Sequence, residues 1–503
     1  MSLLSGILIA LSFPNVFFGW KLPNLGFLAW FGLIPLILAL QKSTPRRAFW
    51  LGFFTATIFF LIGYYWIYVA LHDYGEISVV SSLLTTVLLA SVMALYIGLA
   101  CFLAVWFASK DKAGGLLLWL PIFWTLTEFA RTYIPFGGFP WAHLAISQSN
   151  YTPLIQIADL TGYYGVVFLL VWFNVWAAES LKKFSRPKTM VTAVLLLLVL
   201  SYGFYKNYAV RQAVAGAPTL KVGLIQPNIS QTEKWVEAFL SKHRKVFETM
   251  AAGLQANVDL IIWPETGWFE TLWVGAQKIN PEKIGVTLQR EEGKPFTLLG
   301  LSFSTLKEHR ERYYNSAALI DADGRIWGKY HKVRLVPFGE YVPLKKIFSS
   351  LKPVAAIGDF ERGDGWTPLT LGYWKIAPLI CYEDIFPQAS RAMVRNGAHL
   401  LINITNDAWY GFTSAAYQHL ALAQFRAVET RRAMVRATNT GMTAVIDPSG
   451  RVVNQAPWFE QSVIVHRVPL LSGQTVYTKL GNWFAGGCLL LVLRTLLLRK
   501  KSN

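Results

Sequence analysis

Apolar residues are distributed along the chain in two regimes. Eight long apolar runs, at about residues 3 to 20, 25 to 41, 48 to 70, 78 to 108, 115 to 134, 160 to 180, 189 to 208 and 481 to 498, each approach the roughly 20 residues a helix needs to cross a hydrocarbon core. The first two are short and separated only by Lys21, Pro23 and Asn24. Between about 209 and 480 the pattern changes to short strand-like segments: TLKVGLIQ from 219, VDLIIW from 258, FTLLGLSF from 296, NSAALID from 315, WKIAPLICY from 374, HLLINIT from 399, MVRATN from 434 and TAVIDP from 443. Amphipathic stretches at 233 to 254 and 415 to 433 predict helices among them, and DADG at 321 and DPSG at 447 predict hairpin turns, where glycine accepts a positive φ. The expected fold is an α/β domain with mixed sheets, inserted between transmembrane helices of an eight-helix membrane domain. Residues 1–208 would carry seven spans, 209–480 the inserted domain, and 481–503 the eighth span with a basic tail.

Composition agrees with a polytopic membrane protein: 53% of residues are hydrophobic, 15% are charged, and the mean hydropathy is +0.37. The 47 Lys and Arg exceed the 29 Asp and Glu, giving +18. In so apolar a chain this excess points to membrane loops and lipid headgroups, with no nucleic-acid partner. MSLLSGILIALSFP has no basic segment before its apolar run and no small-residue cleavage site after it, so it reads as the first span. Lys42, Arg46 and Arg47 follow the second span, Lys110 and Lys112 the fourth, Lys182, Lys183, Arg186 and Lys188 the sixth, and Arg494, Arg499, Lys500 and Lys501 close the chain. Cations resist translocation, so these loops and both termini are expected in the cytoplasm, and the 209–480 domain on the opposite face. Few ionisable residues fall within the spans. Glu128 and Arg131 could pair, Asp159 and Glu179 sit at span ends, and no repeat of spans suggests a transporter.

The chain has three cysteines, and Cys101 and Cys488 lie in apolar runs where a small buried hydrophobe is the expected reading. Cys381 stands alone in the polar region with no internal disulfide partner, which favours a chemical role. Glu265 after VDLIIW, Lys332 in KYHKVRLVPFGEYVP and Cys381 in APLICYED each follow a buried strand, where a side chain is held rigidly and can face a pocket. Singly, each has a bland reading: a helix N-terminal acid, a solvated lysine, a buried thiol. Together they supply a base, an oxyanion-stabilising cation and a nucleophile, so no histidine is required from the scattered His243, His309, His331, His399, His419 and His466. No CxxC or HExxH spacing suggests a metal site, and no cofactor is expected.

WPET, YHKVRLVPFGEYVP and ICYED, in this order, resemble the Glu, Lys and Cys motifs of the nitrilase superfamily. LVPFGEYVP, INITNDAWYG and RAVETRRAMVRATNTG, with seven spans before the domain and one after, resemble the apolipoprotein N-acyltransferase family in particular; Gly267 departs from the alanine expected after WPET. The resemblance implies a nitrilase-like four-layer αββα sandwich and a multi-pass protein of the bacterial inner membrane, its catalytic domain periplasmic. The implied activity is transfer of an acyl chain from a glycerophospholipid, through a Cys381 thioester, to the N-terminal amine of diacylglyceryl-cysteine on an apolipoprotein. It further implies supporting roles for Glu340 and Glu383, a substrate-side role for Trp235, and a monomer. Tyr382, Asn406 and Trp409 are candidates for the pocket lining, with turn formation the alternative for the last two. The stretch 341–357 mixes apolar and basic residues and suits an interfacial arm or lid, Ile347, Phe348 and Leu351 being its apolar anchors. The alternative activity is a membrane-anchored amidase or nitrilase acting on a small amide or nitrile with the same three residues.

Overall fold

The computed structural model describes residues 1–17, 19–110, 115–254, 257–280, 295–307, 309–343 and 360–502. The expected arm at 341–357, with Ile347, Phe348 and Leu351, lies outside the described residues from 344 onward. The chain divides into two compact units: Met1–Ala209 with Phe412–Glu429 and Thr475–Asn503, and Val210–Gly411 with Thr430–Gln474.

The first unit is helical. Pro45–Gly63, Val79–Lys110 and Arg186–Ala215 are long and apolar enough to cross a membrane. Pro45–Gly63 begins where Pro45 occupies the first turn and the Thr44 hydroxyl accepts the Arg47 N–H. It packs on Val79–Lys110 through small residues. A Cβ on Gly52 would lie 2.6 Å from Cys101 Sγ, and one on Gly98 would lie 3.1 Å from Phe49. Cys101 is therefore the buried filler expected of it. The continuous span expected over 3 to 20 is not one helix. Ser2–Leu11 has 10 residues and rises about 15 Å, half the hydrocarbon core, before Pro14 interrupts the chain and Val16–Phe17 pairs with Trp20–Lys21. Likewise 25 to 41 is a 3-10 turn, Gly26–Trp30, followed by Ile34–Leu40. Gly115–Arg131, Tyr164–Ser180 and Trp483–Ser502 occupy the other expected spans. Glu128 bonds His143 at 2.7 Å, and Arg131 is spent on the Tyr64 hydroxyl, the 139–142 carbonyls and His143.

The second unit is built on two mixed sheets. In the first, the order is Ser462–Pro469, Thr219–Gln226, Leu260–Ile262, Phe296–Lys307, Arg310–Ile320, Ile326–His331, with Leu272–Trp273 also on Phe296–Lys307. In the second it is Val452–Gln455, Ala444–Ile446, Ala433–Thr438, Leu400–Thr405, Trp374–Ile380, Leu369–Leu371. Ala433–Thr438 packs against Thr219–Gln226, so the sheets lie face to face. Helix Glu237–Ala252 covers the first sheet and Pro387–Arg395 the second, giving the helix–sheet–sheet–helix order that burial of both sheet faces demands. Phe247 stacks on Trp263 at 4.4 Å within a core that includes Ile225, Leu299 and Phe303. Leu400–Thr405 is buried along its whole length, which is why Leu400, Leu401 and Ile402 run together there without the alternation of a half-exposed strand. Both expected hairpins form, at 321 and 447. The helix expected over 415 to 433 is Ala415–Thr430, nearly all of it in the first unit.

Candidate active site

In both sheets the parallel strands end on the same kind of feature: a polar residue carried just past the last paired position, where α/β folds place their sites. Cys381 follows Trp374–Ile380 at the opening of a 3-10 turn, Cys381–Ile385, with φ +52. That left-handed conformation is costly for a residue with a Cβ and persists where surroundings enforce it. Here the Asn403 amide donates to the Cys381 and Leu379 carbonyls. The Glu383 carboxylate reaches back to the Ile380 N–H at 2.9 Å. The same carboxylate accepts from Val333 N, Arg334 N and the Tyr330 hydroxyl at 2.8–3.0 Å, so one fully buried side chain ties the cysteine turn to the lysine loop. Burial pushes the Glu383 carboxyl up, and the Ile380 and Arg334 N–H groups oppose that rise.

Glu265 follows Leu260–Ile262. Its turn presses onto Phe296–Lys307 at Gly300, where a Cβ would lie 2.3 Å from the Pro264 carbonyl and 2.8 Å from Glu265 Cα. Glu265 Oε1 accepts from Asn315 Nδ2 at 2.8 Å and Oε2 from the Asn406 N–H at 3.0 Å. Lys332 follows Ile326–His331, extends its pairing through a bond from its N–H to the Asn315 carbonyl, and is 1% exposed. The Lys332 ammonium donates to Glu340 Oε1 at 2.8 Å and lies 3.5 Å from Glu265 Oε1. Glu340 is held by Asn315 Nδ2 at 2.9 Å and the Val336 N–H at 2.8 Å. Burial works against the Lys332 charge, but Glu340 and Glu265 outweigh it and keep the ammonium above its usual range. Burial also pushes the Cys381 thiol up, and the Glu265 carboxylate adds to that, while Lys332 and the Thr405 hydroxyl oppose. A thiol raised in this way can attack only if its proton is removed as it does so, the condition under which a neighbouring carboxylate can serve as general base.

The structure therefore brings Glu265, Lys332, Cys381, Glu340, Glu383 and Asn406 together. Tyr382 is buried beside Cys381, its ring 4.9 Å from Phe386. Trp235 and Trp409 are different: they are 54% and 41% exposed. Trp409 stands in the 3-10 turn Asp407–Tyr410, its side chain largely turned to the surface. Gly267 has a local reason, since a Cβ there would sit 3.1 Å from the Pro264 carbonyl and 3.2 Å from the Phe247 ring. Sequence reasoning missed three residues. Asn315 bridges both carboxylates, and its signal is a polar residue opening a buried strand segment. Tyr410 has a phenol kept well above its usual range by burial first and then by the Cys381 thiolate form. Lys234 reaches the Glu265 backbone. Among the described residues no group of three His, Cys, Asp or Glu could hold a metal ion.

Residues 221–477 match the family model described as carbon-nitrogen hydrolase, and residues 5–176 the one described as apolipoprotein N-acyltransferase N-terminal domain. The chain is 37% identical to an apolipoprotein N-acyltransferase of Geobacter metallireducens, over 100% of this chain and 95% of the relative. It is 33% identical to one of Azotobacter vinelandii, over 95% and 91%. Among solved structures, Saccharomyces cerevisiae Nit3, of branch 10 of the nitrilase superfamily, aligns over 50% of this chain and 90% of that one, with 20% identity and a TM-score of 0.38.

Proposed function

The chain belongs to the apolipoprotein N-acyltransferase family, and from that premise we propose how its second unit carries out the transfer. It is a membrane acyltransferase of lipoprotein biosynthesis, moving an acyl chain from a phospholipid to the amino terminus of an apolipoprotein. The observation that carries the mechanism is the placement of Cys381, on its left-handed turn, in one buried network with Glu265 and Lys332.

Glu265 takes the proton from Cys381 Sγ as sulfur attacks the ester carbonyl of the glycerophospholipid. Lys332 stabilises the tetrahedral oxyanion, an interaction worth roughly 3–4 kcal/mol when a comparable donor is removed. Collapse breaks the ester C–O bond, Glu265 returns its proton to the departing glycerol oxygen, and lysophospholipid leaves a Cys381 thioester. The α-amine of diacylglyceryl-cysteine then attacks the thioester, Glu265 takes the amine proton, and the sulfur leaves and is reprotonated. Asn315 and Glu340 hold Glu265 and Lys332 apart yet paired, and Glu383 holds the two loops that carry Lys332 and Cys381. Trp235 would meet the lipid at the mouth of the site.

We read residues 209–480 as the periplasmic catalytic part, with both termini cytoplasmic. In support, the Arg499 guanidinium donates to the Phe107 carbonyl at 3.3 Å, which sets the basic tail beside the Lys110 end of its helix, as the loop charges require. Hydrolysis of a small amide is less well supported, because similarity extends over the spans as well as the catalytic part. The test is product partition. Supplied with phospholipid and a diacylglyceryl-cysteine peptide, the purified enzyme should yield N-acylated peptide in excess over free fatty acid; fatty acid alone would mean that water is the acceptor.

A further inference from the structure

The Glu265 turn has a peculiarity that Glu265, Lys332 and Cys381 leave unexplained. Thr266, immediately after the base, has φ +48, a left-handed conformation that is a genuine outlier for a β-branched side chain and requires external restraint. The restraint comes from Lys234. This lysine is 2% exposed, and its Nζ donates to Thr266 Oγ1 at 2.7 Å and to the Glu265 carbonyl at 3.2 Å. Its own backbone is fixed by the turn that starts at Ser230, whose carbonyl accepts from the Lys234 N–H. That turn is tied in its middle to the site, since Gln231 Oε1 accepts from Asn406 Nδ2 while the Asn406 N–H holds Glu265 Oε2. Lys234 also lies 5.5 Å from the ring of the adjacent, exposed Trp235.

Charge points the same way. Glu265 and Glu340 are two carboxylates facing one ammonium, Lys332. When Glu265 takes the Cys381 proton, the thiolate and Glu340 again face Lys332 alone, an excess of one negative charge in a water-poor pocket. A second buried ammonium beside Glu265 removes that excess in both states. Burial lowers the Lys234 ammonium to about 8, with Glu265 and then Cys381 drawing it back up, so its charge depends on the anions it serves.

We propose that Lys234 is a positioning residue for acyl transfer: it holds the Glu265–Thr266 turn in its left-handed form, supplies the second positive charge of the pocket, and couples the Trp235 turn to the base. This rests on the acyl-transfer reading above. The test is single-turnover acylation of the full-length enzyme in detergent with phosphatidylethanolamine, followed by intact mass, for wild type, Lys234→Met and Thr266→Val. Acylation of wild type is the internal reference; its failure would strike the acyl-transfer reading and not Lys234. Lys234→Met is expected to acylate about 10- to 100-fold more slowly with the KM for phospholipid within about threefold of wild type, and Thr266→Val to slow by a smaller factor in the same way. An acylation rate in Lys234→Met within twofold of wild type, or a raised KM at unchanged maximal rate, would overturn the proposal. Should Lys234→Met not fold, Thr266→Val decides: slowed acylation supports the restraint, and an unchanged rate refutes it.

Discussion

At the centre of the site the decisive residues are those that hold charge where water is scarce. Glu340 is the closest acceptor of the Lys332 ammonium, so Glu340→Gln leaves that ammonium buried with Glu265 alone at 3.5 Å. Its protonated form is then less favoured, and acylation measured by single-turnover mass spectrometry is expected to fall about 10- to 100-fold. Asn315→Leu removes one donor from each carboxylate at once. A buried acceptor without its partner costs about 1–3 kcal/mol, so this variant is expected to melt lower by several degrees as well as to acylate slowly. An unchanged melting curve would show that water replaces the amide. Glu265, Lys332 and Cys381 were readable from local motifs because each follows a strand in a distinctive string, and Glu340 and Glu383 because they lie in the same strings, PFGEY and CYED. Asn315, Lys234 and Tyr410 were not, because their partners lie tens of residues away and nothing in NSAALID or QTEKW announces which face turns toward the carboxylates.

The elements themselves are placed by burial and by a few close approaches. The turn carrying Glu265 can sit where it does because Gly300 has no Cβ, and Gly300→Ala is expected to displace the Pro264–Glu265 backbone. Overpacking of this kind costs about 1–3 kcal/mol, so both the melting temperature and the acylation rate should drop; a normal rate would mean that the strand, not the turn, gives way. Strands such as Thr219–Gln226 and Trp374–Ile380 were legible because apolar residues predominate in them between turn residues. Leu369–Leu371 and Val452–Gln455 were not, being only three and four residues long, and Ser462–Pro469 alternates at an outer position of its sheet. The continuous helix expected over 3 to 20 is interrupted for a different reason. Hydropathy averages over Phe13, Pro14 and Asn15, whereas the helix has already ended at Leu11 with Asn15 donating to the Ala10 and Phe13 carbonyls.

For the molecule as a whole, the catalytic part and the basic loops are expected to face opposite sides of the membrane. In a Cys101→Ala/Cys488→Ala background, Tyr373→Cys, at a site 97% exposed, is expected to react with a membrane-impermeant maleimide in intact spheroplasts. Lys183→Cys is expected to react only after permeabilisation, and the reverse pattern would invert the topology. The mechanism turns on Cys381 carrying the acyl chain between donor and acceptor. It is tested most directly by intact-protein mass spectrometry of the enzyme incubated with phospholipid and no acceptor, beside Cys381→Ala. A gain of one fatty acyl mass on the wild type alone, lost again when diacylglyceryl-cysteine peptide is added, is the predicted result. An acyl adduct that persists in Cys381→Ala, or its absence from wild type that still N-acylates the peptide, would contradict the thioester account.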